Sequence, residues 1–441
     1  MAVTIATQPA SNELKVAYRP INLIIRADQL PTGASAPCPA VIADIYLNGV
    51  YYSSQSVTDY TMQTTPFTAY LYTFDIQDKV QEYLNSAFHR LHLRTADMEA
   101  AATERFVTTV QVQFRESFID TDGFTRFYGT APIAGTLYTA PVAGTATISS
   151  NTFHVLNASL KHEDNQTPAT HLASWKESFQ QTLQLSHRPN KMGSNIFGGG
   201  QYFVSIFDDD YIWWYGNSYT PAPWQITLNV RYRDGSTASF GPITYPTPST
   251  TANGYKVYMI NGGINGMRRL VPGVRWFDVA EYEVIVGAFA FQAARQYYHV
   301  VQVPETDRVR MFFLNNLGVY DGITLHNVVE ITKAESSTWQ SALPALGANK
   351  SYAGLNRFQP KQNDFFEGEN DQYSEKDMPW LKELIGSPRA YVQLKGVDGQ
   401  ADSIMPVIIE DAEMVPRKYS DRFTYSVKIK YRLSNERINL R

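Results

Sequence analysis

Phe312-Phe313-Leu314-Asn315-Asn316-Leu317-Gly318-Val319-Tyr320-Asp321-Gly322 decides how this chain is read. An apolar run from Val309 to Leu314 ends in an Asn-Asn corner. Gly318 then admits φ > 0, and an aromatic-Asp-Gly turn leads into a second apolar run, Ile323 to Val329. The pattern predicts two strands joined at a sharp bend. No nucleophile, acid–base pair or phosphate cradle has this form. The corner residues Asn315, Gly318 and Asp321 are therefore expected to act structurally, as a hinge between a middle and a C-terminal module.

Strand-like periodicity continues on both sides of the corner. Upstream, Ile226 to Tyr232 alternates strictly, and Tyr202 to Phe207, Tyr255 to Ile260 and Tyr282 to Phe289 read as further strands. Downstream, Arg389 to Leu394 and Ile404 to Ile409 are strands. From Phe423 to Tyr431, every second residue is apolar over nine positions, the mark of a half-buried antiparallel strand. Nearer the N-terminus, Ile21 to Arg26, Ala40 to Tyr46, Val50 to Ser54, Tyr70 to Phe74 and Val107 to Ile119 are strands. Asn48-Gly49 between the second and third predicts a tight hairpin.

Two short helices interrupt this pattern. Ile76, Val80, Tyr83 and Leu84 fall on one helical face, with Asp75 as N-cap. Met378 to Ile385 has Pro379 at its start. The acidic, Gly-containing stretch from Asp364 to Asp371 reads as a loop.

The chain has 441 residues, 44% hydrophobic and 18% charged, with 28 Tyr and 23 Phe. It is rich enough in apolar and aromatic residues for several β-type cores. Its net charge of −4 gives no nucleic-acid footprint. Cys38 is the single cysteine, so no disulfide forms within the chain. The N-terminus has no basic n-region followed by an apolar stretch, so no signal peptide is read, and no run of about 18 apolar residues predicts a membrane span.

The expected fold class is mainly β, with two or three β-sandwich-like domains and a few short helices. The expected division is a flexible or partner-bound arm at 1–16, an N-terminal sandwich at 17–165, a middle β domain at 166–335, and a C-terminal β-rich domain with a short helix at 336–441.

Candidate chemistry is sparse. His89 and His92 have a helical metal-ligand spacing but no second pair of ligands, and Arg90 and Arg94 oppose a cation. In Asp208-Asp209-Asp210, alternate residues share a face, so Asp208 and Asp210 alone could share an ion, and a solvated loop is the simpler expectation. Tyr211, Trp213, Trp214, Tyr215 and Trp224 sit beside that acidic run. Exposed, they would grip a sugar; the simpler expectation is a core strand and protein contacts. The glycines at 198–200 and 262–266 match no nucleotide-binding loop. Arg268, Arg269 and Arg275 read as a solvated face. No cofactor and no catalytic residue is singled out, although carboxylates abound and a paired-carboxylate glycoside hydrolase is a third reading.

An ordered series of motifs resembles tail-module structural proteins of phages and prophages of Bacteroidota-type bacteria. The series begins with Ala17-Tyr18-Arg19-Pro20-Ile21-Asn22-Leu23-Ile24-Ile25 and continues with Ala43-Asp44-Ile45-Tyr46-Leu47-Asn48-Gly49. Phe74-Asp75-Ile76 with Gln81-Glu82-Tyr83-Leu84 follows, then Leu185-Ser186-His187-Arg188-Pro189 and the corner itself. Trp380 to Pro388, Met405 to Asp411 and the Tyr425-to-Tyr431 strand complete it. The likeness spans about residues 17 to 435. His187 stands where that family has Asn, and the Ala/Gly/Thr-rich segment of the 130s and 140s has no counterpart.

The resemblance implies a non-enzymatic virion component of a tail, baseplate or tail-neck ring, made in the host bacterial cytoplasm. The implied partners are other copies of itself and neighbouring virion proteins. A receptor- or glycan-binding module, contacting a host-surface glycan, is the rival reading.

Overall fold

The computed structural model of the chain describes residues 3–11, 13–27, 40–63, 69–86, 98–100, 106–119, 124–127, 131–141, 147–159, 182–186, 188, 202–217, 224–245, 255–288, 291–302, 308–340, 355–373, 377–394, 403–419 and 422–434. Cys38, His89, His92, His187, the junction at 162–168 and the glycines at 198–200 lie outside them.

The N-terminal module is a sandwich. One sheet has the order Val3–Thr7, Asn22–Ala27, Ala69–Asp75, Thr61–Gln63. The other has the order Leu14–Val16, Phe153–Leu156, Val107–Ile119, Val41–Leu47, Val50–Val57. Period-2 alternation decides which side chains face inward. Leu23, Ile25, Tyr72 and Phe74 from the first sheet meet Val41, Ala43, Ile45, Val110, Val112, Phe114 and Phe153 from the second. The helix Gln77–Ser86 closes this core with Val80 and Leu84. Asp75 caps it as expected: its Oδ1 accepts from the amides of Gln77 at 3.0 Å and Ile21 at 3.1 Å. The expected hairpin is present, with Asn48 at φ 50° and Gly49 at φ 80° joining Val41–Leu47 to Val50–Val57.

The middle module is also a pair of sheets. One is a four-stranded sheet of Thr182–Gln184, Tyr211–Asn217, Tyr255–Asn261 and Met98–Ala100. Its last strand comes from the N-terminal half of the chain. Facing it is a five-stranded sheet ordered Phe203–Ser205, Phe291–Val301, Val279–Ala288, Trp224–Tyr232, Thr237–Tyr245. Burial along Trp224–Tyr232 alternates at every position, as its sequence predicts.

The C-terminal module is a closed six-stranded barrel and not a third sandwich. Its order is Arg308–Leu314, Tyr320–Gln340, Leu355–Tyr373, Arg422–Leu433, Ser403–Tyr419, Ala390–Leu394. The helix Met378–Ile385 buries Trp380, Leu381 and Leu384 against it. The mainly-β fold expected from the sequence is the fold observed.

Three local expectations change. Val3–Thr7, expected in a flexible or partner-bound arm, is an edge strand paired with Asn22–Ala27, because the chain's own sheet offers it a hydrogen-bonding partner. Asp364 to Asp371, expected as a loop, lies inside the strand Leu355–Tyr373, where cross-strand pairing overrides its acidic composition. The break expected between 335 and 336 falls inside Tyr320–Gln340, so the barrel begins at Arg308.

Candidate functional site

The corner is where the three modules meet. Asn315 is buried, and its side-chain carbonyl accepts from the amides of Leu317 at 3.0 Å and Val319 at 3.1 Å, folding the turn onto itself. Its Nδ2 donates to the Leu185 carbonyl at 3.0 Å and to Asp321 Oδ2 at 3.1 Å. Asp321 is fully buried. It accepts from Ser186 Oγ at 2.8 Å on the middle module and from Trp380 Nε1 at 3.0 Å on the barrel helix. Burial pushes its carboxyl pKa up, against the opposing pull of Arg188 and the hydrogen bonds from Asn315 and Ser186.

The N-terminal module attaches at the same point. The Ser159 amide donates to the Asn316 carbonyl at 2.8 Å, and the Asn316 amide donates to Glu383 Oε2 at 3.1 Å. Gly318 sits at φ 82°, and a Cβ there would lie 1.9 Å from the Asn157 carbonyl oxygen. The corner thus ties three modules together, where the sequence suggested a link between two.

Asp208, Asp209 and Asp210 are not a solvated loop. All three are buried, because each finds donors inside the protein. Asp208 pairs with Arg308 Nη1 through Oδ1, and its Oδ2 accepts from Thr324 Oγ1 at 2.6 Å and the Ser205 amide at 2.7 Å. Asp209 accepts from Asn261 Nδ2 and Gln393 Nε2, each at 2.8 Å. Asp210 accepts from Arg188 Nη1 at 2.7 Å, Arg310 Nη2 at 2.5 Å, and the hydroxyls of Tyr202 and Tyr298 at 2.8 Å.

Burial works against the guanidinium charges of Arg188 and Arg310. Asp210 and the neighbouring tyrosines outweigh it, and both pKa values end up raised. Guanidinium groups occupy the carboxylate oxygens of Asp208 and Asp210 that an ion would need, so this is an internal ion-pair network. Among the described residues no group of three His, Cys, Asp or Glu side chains is placed to hold a metal ion.

Glycines let the network close. Gly322 lies so near Arg310 that a Cβ would come within 2.4 Å of its Nη2. Gly263, from the glycine-rich 262–266 stretch, packs on the acidic run, where a Cβ would be 2.4 Å from the Asp210 amide nitrogen. The helix Ile264–Leu270 starts there.

The aromatic cluster is core. Tyr211, Trp213, Trp214, Tyr215 and Trp224 are each at most 4% exposed, which removes them as a sugar platform. Trp224 opens Trp224–Tyr232 in the five-stranded sheet; the other four lie on Tyr211–Asn217, in a sheet covered on both faces. Ile212 and Trp214 point to a core shared with the five-stranded sheet and the barrel. Tyr211, Trp213 and Tyr215 point to a second core with Phe106, Phe312, Tyr320 and Tyr391. A strand buried on both sides needs no polar alternation, which is why five aromatic or aliphatic residues stand in a row. Trp213 Nε1 is satisfied by the Tyr320 carbonyl at 2.9 Å.

The network's cationic half escaped the sequence reading. Its signal is present: Arg308 and Arg310 lie two apart, on one face of an otherwise apolar strand. Arg275, by contrast, is on the surface as expected, paired with Asp234 at 3.4 Å and Asp278 at 3.5 Å.

The two longest strands of the barrel run on past its other pairings. Beyond the Glu330–Phe366 pair, among the described residues, the strands Tyr320–Gln340 and Leu355–Tyr373 pair with each other alone, from Ile331 opposite Phe365 to Gln340 opposite Leu355. Ten residues at strand rise give a two-stranded ribbon about 30 Å long. Its described side-chain contacts are surface ones. Phe365 lies beneath the ammonium groups of Lys430 at 4.8 Å and Lys333 at 5.7 Å, and Thr332 Oγ1 donates to Asp364 at 2.9 Å. Val329, at the ribbon's base, is 57% exposed.

No protein-family model matches this sequence, and no curated protein matches it.

Proposed function

We propose that the chain is a non-enzymatic structural subunit of a tailed-phage particle, in a tail, baseplate or tail-neck ring, assembling with copies of itself and neighbouring virion proteins. The ribbon is the observation that carries the assembly reading. A lone two-stranded hairpin is marginal in water, and cross-strand surface pairs contribute only about 0.2–1 kcal/mol each. Free strand edges are also ready templates for another chain. An arm of this kind is expected to be held by a neighbour.

The rest of the molecule supports the same reading. Buried ion pairs join the middle module to the barrel, and the corner's hydrogen bonds tie on the N-terminal sandwich, a block suited to transmitting load. The motif series that resembles phage tail-module proteins maps onto that block, because Leu185, Ser186, Arg188, the corner and Trp380 all belong to the junction or the ion-pair network. The particle, its position in a virion and its manufacture in a bacterial cytoplasm rest on that resemblance.

The test is a variant that ends the ribbon early, joining Glu330 to Phe366 through an Asn-Gly turn. Native mass spectrometry and electron microscopy should show the intact chain as a closed oligomer and the variant as a folded monomer. An intact chain that stays monomeric at high concentration and is absent from purified particles refutes the proposal.

A further inference from the structure

We propose that the outer face of the five-stranded sheet is a binding groove for a neutral saccharide. The groove has a volume of about 370 Å³, within the ~300–1,000 Å³ of small-ligand sites. Its floor is set by register. Ser239, Asn229, Glu283 and Tyr297 are cross-strand neighbours in one row. Thr237, Arg231, Glu281 and His299 form the next. All eight line the groove. Side chains one strand apart are about 4.8 Å from each other, a spacing that suits alternate, 1,3-related hydroxyls of a sugar ring and not adjacent ones.

The charges in the groove are balanced from within. Arg295 Nε pairs with Glu283 Oε1, while Asn229 Nδ2 donates to Glu283 Oε2 at 2.9 Å. His299 Nδ1 lies 3.2 Å from Glu281 Oε1, and Arg231 Nη1 lies 3.7 Å from Glu281 Oε2. Ser239 Oγ donates to Asn229 Oδ1 at 2.8 Å. A ligand carrying net charge would have to break one of these pairs. A hydroxyl-rich neutral ligand can instead join the chain, accepting from Asn229 or Arg231 and donating to a carboxylate oxygen. The Tyr297 ring, stacked at 4.9 Å beneath the Arg295 guanidinium, supplies an apolar edge for a sugar's C–H face.

The arrangement suits binding better than hydrolysis. Burial disfavours the charged form of Glu283, but hydrogen bonds from Arg295, Tyr297 and Asn229 prevail and hold its carboxyl below the usual range. It is thus an acceptor and no proton donor at neutral pH.

Titration calorimetry of the full chain with glucose, galactose, N-acetylglucosamine and their β-linked disaccharides tests this. A glycan array carrying sialylated and uronic-acid glycans is run beside it. At least one neutral probe should bind, and Asn229→Ala and Tyr297→Ala should each weaken it at least tenfold while leaving the unfolding midpoint within a few degrees. Failure of every neutral probe overturns the proposal. So does binding that both variants leave unchanged, binding confined to acidic glycans, or a change of oligomeric state in the groove variants in place of a change in sugar affinity.

Discussion

The main-chain oxygen of Asn157 occupies the space that a side chain on Gly318 would need. One residue belongs to the N-terminal sandwich and the other to the corner that opens the barrel. Their contact is possible only because Gly318 has no Cβ and tolerates φ 82°. A carbonyl oxygen fixed in the backbone cannot rotate aside. Gly318→Ala should therefore cost about 2–4 kcal/mol, combining left-handed strain with the clash. Gly318→Val should cost more. Urea unfolding measures both, and a loss below about 1 kcal/mol for the alanine variant contradicts the packing.

The Asp210 network makes a second prediction. Arg310→Met leaves Asp210 short of one cation and Thr324 short of a donor. Breaking a buried pair from one side costs about 3–5 kcal/mol, because the remaining charge stays desolvated. Asp210→Asn should be comparably damaging, since two guanidinium groups then face a neutral amide. Thermal unfolding by circular dichroism reads both changes. Added calcium should rescue neither variant, because the network's cations are arginines.

The buried tryptophans predict an outcome opposite to a binding role. Trp213→Ala and Trp214→Ala each empty a large volume in a packed core and should cost about 3–5 kcal/mol. Any loss of partner or glycan binding should follow loss of folded protein and not precede it. Near-native stability in either variant would mean that the strand is not core.

Two buried groups in the N-terminal sandwich give the stability a pH dependence of opposite signs. Burial pushes the Glu116 carboxyl up from 4.5 to about 7. The folded state then binds a proton that the unfolded state releases, so this contribution is full below pH 4.5 and is lost as pH rises toward 7. Burial also pushes the His154 imidazole down from 6.5 to about 4. Its contribution is full above pH 6.5 and is lost as pH falls toward 4. Each effect is on the order of 3 kcal/mol. Glu116→Gln should raise stability at pH 8 and leave it little changed at pH 4, while His154→Gln should flatten the acid limb. Unfolding midpoints at pH 4, 6 and 8 decide the matter, and parallel profiles for variant and parent would refute the assignment.

Much of the fold is readable from residues whose periodicity answers to one neighbour. Trp224–Tyr232 and the Asn48-Gly49 hairpin are set by alternation and turn chemistry, which act locally. What escaped is what depends on distant partners. Asp208 to Asp210 looks hydrophilic until Arg188, Arg308 and Arg310 arrive from elsewhere in the chain. Asp364 to Asp371 looks like a loop until Tyr320–Gln340 pairs with it. Tyr211 to Tyr215 carries no alternation at all, because both its faces are covered. The groove residues Glu281, Glu283, Tyr297 and His299 lie on Val279–Ala288 and Phe291–Val301, the second of which the periodicity does not pick out as a strand. Only register brings them together.

The strand Met98–Ala100 travels from the first half of the chain to complete a sheet of the second. Genetic exchange at the apparent module borders would therefore give a daughter protein with a sheet one strand short and a surplus strand left unpaired. The border between the first two modules in space is thus not a border along the chain.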